Sequence, residues 1–288
     1  GATGSADSAA RLRKGQGRER AWRMRSKRAS ASPGAADAAP GAPRAGSPAA
    51  NRLVVVQLTA SNWLKHIVSA IQNGTPVIIE NVGGAGGTLG SDLVAKSAAD
   101  GYTVLLATTS THTIGPVFNA RLPYDAVRDF TPIVHVGNAP SIMLVPNNSP
   151  AKTVQEWIAY ARANPGRLNY ASSGNGTIVQ LTAELFKAQA GLFVVHIPYK
   201  GTALAIPDLV SGKLDVLFDS LPSGIPHVRD GRLRALGVTT AKRTPLAPDL
   251  PAIAEVLPGY ESNTWFGLYG PRGLPTDIVA KVNAAVNQ

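Results

Sequence analysis

Residues 76–112 constrain this chain more than any other stretch. They read as strand, glycine loop, helix, strand and hydroxyl-rich loop. Residues 76–80 (Pro-Val-Ile-Ile-Glu) form a short β-branched apolar run, the pattern of a buried strand. Gly83, Gly84, Gly86 and Gly87 follow around Ala85. Without a Cβ the backbone bends sharply and a ligand can approach its N–H groups. Ser91 is positioned to cap a helix whose apolar residues Leu93, Val94 and Ala98 recur about once per turn. Asp100-Gly101 ends that helix, and residues 102–107 read as a second buried strand. Thr108-Thr109-Ser110-Thr111-His112 comes directly after it. This is a βαβ unit that delivers small polar groups to one edge of a parallel sheet, where ligands bind in open α/β folds. Glycine-rich turns also serve tight packing alone, so the unit by itself leaves both roles open.

The rest of the chain repeats the alternation. Strands are expected at 52–56, 130–136, 141–145, 168–171, 193–198, 216–219, 234–239 and 264–269, with Asn138 and Pro140 marking a crossing segment. Helices are expected at 62–71, 154–163, 178–188, 203–211 and 276–286. Thr153 and Glu156 have the spacing of a capping box. A second Gly/Ser loop, residues 172–177, separates a strand from a helix just as the first does. The strand ending at Asp219 offers a carboxylate where ligands bind, or a helix cap or loop ion pair. The expected fold is α/β with parallel sheets. Two sets of loops, 83–112 and 172–223, would face one cleft between two lobes.

Charge separates the tail from the rest. Of 28 Lys/Arg and 18 Asp/Glu, residues 1–50 hold 10 and 3, so most of the net +10 belongs to that segment. It is rich in Ala, Gly, Ser, Pro and Arg, with Trp22 its one aromatic residue. Such a composition buries too little apolar surface to order itself, and we expect disorder there and little change in melting temperature on its removal. It has no apolar run of about 7–15 residues and so is no secretory signal as it stands. Its composition suits a transit peptide, a nucleic-acid-touching arm, or translation from a start or frame foreign to the folded part; the last is the expectation.

Several chemistries are disfavoured. There are no cysteines, which removes disulfides, thiolate metal sites and cysteine nucleophiles. Gly84, Gly86 and Gly90 are spaced by two and four, where a dinucleotide fingerprint needs two and three. No P-loop lysine and no Gly-x-Ser-x-Gly elbow is present. The histidines at 66, 112, 135, 196 and 227 lack paired ligand spacing, so neither metal nor cofactor is expected. No apolar run is long enough to span a membrane. Hydroxyls, backbone N–H groups and helix N-termini remain. That chemistry holds an anion better than it makes or breaks bonds.

The sequence resembles the substrate-binding receptors of tripartite tricarboxylate transporters, the Bug receptors. The resemblance rests on Pro-Val-Ile-Ile-Glu-Asn at 76–81, Gly-Ala-Gly-Gly at 84–87, Asp-Gly-Tyr at 100–102, Thr-Thr-Ser-Thr-His at 108–112 and Leu-Pro-Tyr-Asp at 122–125. It continues with Leu-Asn-Tyr-Ala-Ser at 168–172, Gly-Asn-Gly-Thr at 174–177, Pro-Tyr-Lys-Gly at 198–201, Phe-Asp-Ser-Leu-Pro-Ser at 218–223 and Arg-Ala-Leu-Gly-Val-Thr at 234–239. Each piece is weak alone, whereas the ordered series over roughly 76–286 is specific. The resemblance implies a two-lobed periplasmic binding protein of Venus-flytrap form. It implies no enzyme, but a monomeric receptor that closes on a small carboxylate and hands it to membrane permease subunits, without binding nucleic acid. Lobe 1 would be 51–138 plus 236–288, and lobe 2 would be 139–235. The ligand would meet Thr109, Ser110 and His112 in lobe 1, and Ser172, Gly176, Thr177, Tyr199, Gly201 and Asp219 in lobe 2. Aspartate, glutamate, nicotinate-like and di- or tricarboxylic acids all suit such a pocket.

The chain departs from the family pattern. The Pro-Gly-Gly-rich loop that normally ends in Asp is replaced by Gln57-Leu58-Thr59-Ala60-Ser61, Gln180 stands where His is frequent, and the family's C-terminal helices would follow Gln288. The expected function is therefore an extracytoplasmic carboxylate receptor, periplasmic by resemblance, whose first loop impairs binding. A nicotinamide-type α/β enzyme and a truncated, non-binding remnant are the alternatives.

Overall fold

The computed structural model describes residues 53–57 and 77–287. The expected helix over 62–71, most of the 57–61 loop and the expected disorder of 1–50 lie outside the described residues. In chain order the first elements are β1 (Leu53–Gln57), β2 (Val77–Asn81), α1 (Thr88–Ala95), β3 (Thr103–Thr108), α2 (Gly115–Phe118), β4 (Phe130–Pro146) and α3 (Val154–Ala163). There follow β5 (Asn169–Ser172), α4 (Ile178–Ala190), β6 (Val195–Pro198), α5 (Thr202–Val210), β7 (Val216–Ser220), α6 (Leu221–Arg229), β8 (Leu233–Val238), β9 (Asn263–Pro271) and α7 (Thr276–Val286).

Two sheets share one strand. In the first, β1 pairs in parallel with β2 and β3, and β9 joins β3 antiparallel. In the second, β5 pairs in parallel with β6 and β7. β4 belongs to both. From Phe130 to Pro140 it pairs antiparallel with β9, and from Ser141 onward with β7 and β8. The sequence suggests two strands and a crossing segment here, yet β4 is one strand of 17 residues. Its register slips at Pro132/Val134 and at His135/Gly137. Such bulges bend a strand and let it carry residues without an N–H. The sheets are thus parallel-rich, with antiparallel strands where the chain passes between them.

Side chains alternate across β4 with the period of two that a strand imposes. Met143 and Val145 pack with Trp157, Phe186, Phe218 and Tyr260 on one face of the second sheet. Ile142 and Leu144 pack with Ala205, Leu209, Leu217 and Leu221 on the other. The first sheet is covered likewise, by Ile278, Val279 and Val282 of α7 against Val104, Leu106 and Leu268. Its other face carries Val94, Leu105, Tyr124 and Phe130. After β8 the chain stays with the second sheet, since Ile253 and Tyr260 are buried in its core, and returns to the first with β9.

Three local outcomes concern the loops. α3 begins at the expected residue, with Thr153 Oγ1 accepting from the Glu156 N–H at 3.1 Å, but the Glu156 carboxylate takes the Lys152 N–H at 2.6 Å instead of that of Thr153, so only half of the capping box forms. α1 does not begin where expected. Gly84, Gly86 and Gly87 adopt positive φ, so the chain turns at once and the helix starts at Thr88 with Gly87 as its cap residue. Ser91, expected to cap it, is buried within the helix. α6 is not among the helices expected from the sequence. Pro222 lies in the first turn, where its missing N–H costs nothing. A Cβ on Gly224 would come within 2.8 Å of Ile142, so the glycine lets the helix lie on the sheet.

Candidate functional site

The loops that follow the parallel strands converge on a cleft. Gly86, Thr108 and Ser110 line it from the first sheet, Ser173, Thr177, Thr202, Asp219 and Ser220 from the second, and Ser141, Thr264 and Phe266 from the strands that link the two. No lysine or arginine lines it among the described residues. The two sides are close: Ser110 Oγ accepts from the Ile178 N–H at 3.0 Å, and a Cβ on Gly86 would come within 3.1 Å of Thr177. The cleft volume is about 40 Å³. That is space for a few water-sized groups.

Two helices begin in this wall. α5 starts at Thr202 behind Gly201, and α6 starts at Leu221 behind Ser220; neither has a side-chain cap on its first turn. Their first N–H groups and the positive ends of their dipoles are set up for negative charge. α4 differs. Thr177 Oγ1 takes the Gln180 N–H at 3.4 Å and donates to Gly174 O at 2.7 Å, while Gln180 Oε1 takes the Gly176 N–H at 2.7 Å. Gln180 thus consumes a donor that the loop would otherwise offer.

The residues expected to meet a ligand fall into two groups. Ser110, Thr177 and Asp219 line the cleft. The others stand behind it. Thr109 Oγ1 accepts from the Trp265 N–H at 3.0 Å and ties β9 to the end of β3. Ser172 is fully buried, taking the Gly174 N–H at 3.1 Å and lying 2.6 Å from His196 Nε2, so it shapes the second Gly/Ser loop. Tyr199 donates its backbone N–H to Ser172 O at 3.0 Å and its hydroxyl to Asp208 at 2.8 Å. Gly201 has φ 122 and ψ 146, a conformation open to glycine, and starts α5. Gly176, φ 70, ends the Gly/Ser loop beside Phe118. His112 lies among aromatic rings, with centroids 4.7 Å from both Phe130 and Tyr269. Burial holds its imidazole down to about 4, so it is neutral near pH 7.

Asp219 is 2% exposed, and burial raises its carboxyl above the usual range. The Ser220 N–H donates to its Oδ1 at 2.9 Å. Gly86, Ser141, Ser173, Thr202, Ser220, Thr264 and Phe266 line the cleft without having been singled out as ligand contacts. Thr202 and Ser220 flank the chosen residues and follow the same logic of strand end and helix start. Thr264 reaches the cleft through the β4–β9 pairing and Ser141 through the β4–β7 pairing, neither of which leaves a trace in local sequence. Among the described residues no group of three or more His, Cys, Asp or Glu could hold a metal ion, and no helix is long and apolar enough to cross a membrane.

Residues 66–288 match the family described as tripartite tricarboxylate transporter family receptor. The chain belongs to that family. A UPF0065 protein in the tcbD–tcbE intergenic region of Pseudomonas sp. strain P51 is 41% identical over 217 residues, 75% of this chain and 64% of that protein. BugT of Bordetella pertussis is 33% identical over 217 residues, covering 75% of this chain and 67% of its own length. The chain therefore spans about two thirds of the curated relatives it matches. Among solved structures, R. palustris Rpa4515 with adipate superposes with TM-score 0.77 at 35% identity over 82% of each chain. MatC of Rhodopseudomonas palustris with bound malate gives TM-score 0.75 at 32% identity, covering 82% of this chain and 83% of MatC. The family is one of receptors, not enzymes, and its solved members have the periplasmic-binding-protein fold.

Proposed function

We propose that this chain is an extracytoplasmic solute-binding receptor. It captures a small carboxylate in the cleft between two lobes and presents it to the membrane permease subunits of a tripartite tricarboxylate transporter. The observation that carries this reading is the cleft itself: hydroxyls and two uncapped helix starts, with no lysine or arginine among its described lining. Donors of that kind bind a carboxylate without a formal positive charge. The carboxylate-bound relatives support the ligand class. The same resemblance supports a periplasmic location, and the receptor is read as acting as a monomer.

This reading divides the chain into lobe 1, 51–138 with 263–288, and lobe 2, 139–262. The return expected at 236 is moved to 263, a shift supported by the pairing of β8 with β4 and by the burial of Tyr260 in the second core. Ser110, Thr177 and Asp219 touch the ligand, while Thr109, Ser172, Gly176, Tyr199 and Gly201 hold the loops that do, and His112 supports the turn behind Ser110. A thermal-shift screen tests the function. A ligand that binds the native state protects it by mass action. Protection by carboxylates is expected, and protection by nicotinamide nucleotides instead would favour an enzyme.

The segment 57–61 bears on affinity. Without the glycine pair and closing Asp, two hydrogen bonds to the ligand carboxylate are lost, each worth about 1.5–3 kcal/mol. The expected weakening is about 10²–10⁴-fold, which takes a receptor of about 1 μM to roughly 0.1–10 mM. Building a Pro-Gly-Gly-x-x-Asp loop in place of 57–61 should restore the difference by calorimetry. Sub-micromolar binding by the unaltered chain would refute the loss.

A further inference from the structure

Asp219 presents an atom that the fold leaves unpaired. Its Oδ1 accepts from the Ser220 N–H, but its Oδ2 is buried and has no hydrogen-bonding partner among the described residues. The hydroxyls of Thr202 and Ser223 lie close enough to favour the ionised form, yet outside hydrogen-bonding geometry, and His227 is a nearby basic group. Beside it, Ser220 Oγ is also buried and unpaired. Both residues line the cleft. A buried acceptor without a donor is costly, and a native fold retains few of them.

To an ionised Asp219 the missing partner must donate a hydrogen. A plain carboxylate has none to give. An ionised Asp219 would also meet it as a like charge, since Asp219 shares the cleft wall with Thr202 and Ser220, at the starts of α5 and α6. A ligand with a donor on the same short skeleton resolves both problems. Its carboxylate faces the helix starts, and its donor faces Asp219.

We propose that Asp219 and Ser220 form a second subsite, which takes a hydroxyl or ammonium group of the ligand and so makes the cleft selective for hydroxy- or amino-substituted carboxylates over unsubstituted ones. This rests on the receptor reading above. Asp219 sets specificity by accepting from that group through Oδ2, and Ser220 Oγ completes the contact.

The test is calorimetric titration of the full chain with succinate, malate and aspartate near neutral pH. These share a four-carbon skeleton and differ in one substituent. Malate or aspartate should bind at least about tenfold more tightly than succinate, the worth of one hydrogen bond to a charged group. A preference for malate assigns the hydroxyl, one for aspartate the ammonium group, and either supports the subsite. Asp219→Asn, which keeps the shape but adds a donor, should abolish or invert the preference while retaining a cooperative melt, and Asp219→Ala should bring the three ligands together. Equal affinities for all three overturn the subsite and leave the receptor reading standing. So does a preference that survives Asp219→Asn. Succinate binding that tightens at mildly acidic pH in the wild type alone would make Asp219 the donor, and would also overturn the assignment. Failure of all three, and of glutarate with 2-hydroxyglutarate and adipate with 2-aminoadipate, overturns the receptor reading together with the subsite.

Discussion

Thr239→Val tests the join between the two sheets. Thr239 is fully buried where the chain leaves β8. Its Oγ1 accepts from the Ser141 N–H at 2.8 Å and donates to Ser262 O at 2.6 Å, so one hydroxyl ties β4 at its change of partner to the segment that leads back to β9. Valine has nearly the same shape and opens no cavity, so the loss isolates the hydrogen bonds. A buried N–H left without a partner costs about 1–3 kcal/mol, and the second bond adds about 1 kcal/mol, for a total of about 2–4 kcal/mol. In a domain of this size each kcal/mol moves the melting temperature by about 2–4 °C, so the expected fall is about 4–16 °C. Urea denaturation with calorimetric melting measures both. Thr239→Ser keeps the hydroxyl and should recover most of the loss. A Thr239→Val protein as stable as the wild type would show that Ser141 finds another acceptor, and the idea of a stitched crossing would fail.

Other perturbations separate binding from folding. Ser110→Ala removes the acceptor of the Ile178 N–H across the cleft, and carboxylate affinity should fall about two- to tenfold for one net hydrogen bond, with the unliganded melt little changed; a large drop in the melt would make the contact structural. For His112 the folded value lies near 4, below its ordinary 6.5, so the neutral form is the one the fold favours. Its contribution is complete above pH 6.5 and is lost as pH falls toward 4, in all about 3 kcal/mol. His112→Phe should flatten that part of the stability–pH curve, and an unchanged curve would refute the assignment. Gly201→Ala has open space around its Cβ, so the expected loss of about 1–3 kcal/mol in urea is backbone strain alone; no loss would mean that the loop relaxes.

The parts of the fold governed by local chemistry are legible in the sequence. Thr153 and Glu156 fix the start of α3, and the bounds of that helix and of α7 coincide with the expected ones. The two glycine- and hydroxyl-rich loops mark the cleft because they end parallel strands and precede helices, and Ser110, Thr177 and Asp219 lie in its wall. Long-range pairing is not legible. Pro140 and Asn138 look like breakers, but the ladder with β9 holds them in one strand. Thr264 enters the cleft through that same ladder, and Ser141 through the pairing of β4 with β7. Ser91 is a good cap by composition, but Gly84, Gly86 and Gly87, all at positive φ, turn the chain earlier and start the helix at Thr88. α6 carries Pro222, Gly224 and Pro226 and so has no legible helical pattern, and Gly224 is explained only by its packing against Ile142 and Leu144.

The central claim is that a cleft of hydroxyls and helix starts, lacking a cationic side chain among its described lining, holds a carboxylate anion. Its most direct test compares a carboxylate with its uncharged amide on the same carbon skeleton, malate against malamide, titrated into the full chain by calorimetry. The account predicts saturable one-to-one binding of the carboxylate, with an affinity of roughly 0.1–10 mM if the 57–61 segment has the effect proposed for it, and no binding of the amide in that range. Equal binding of the two, or an amide that binds more tightly, would contradict it.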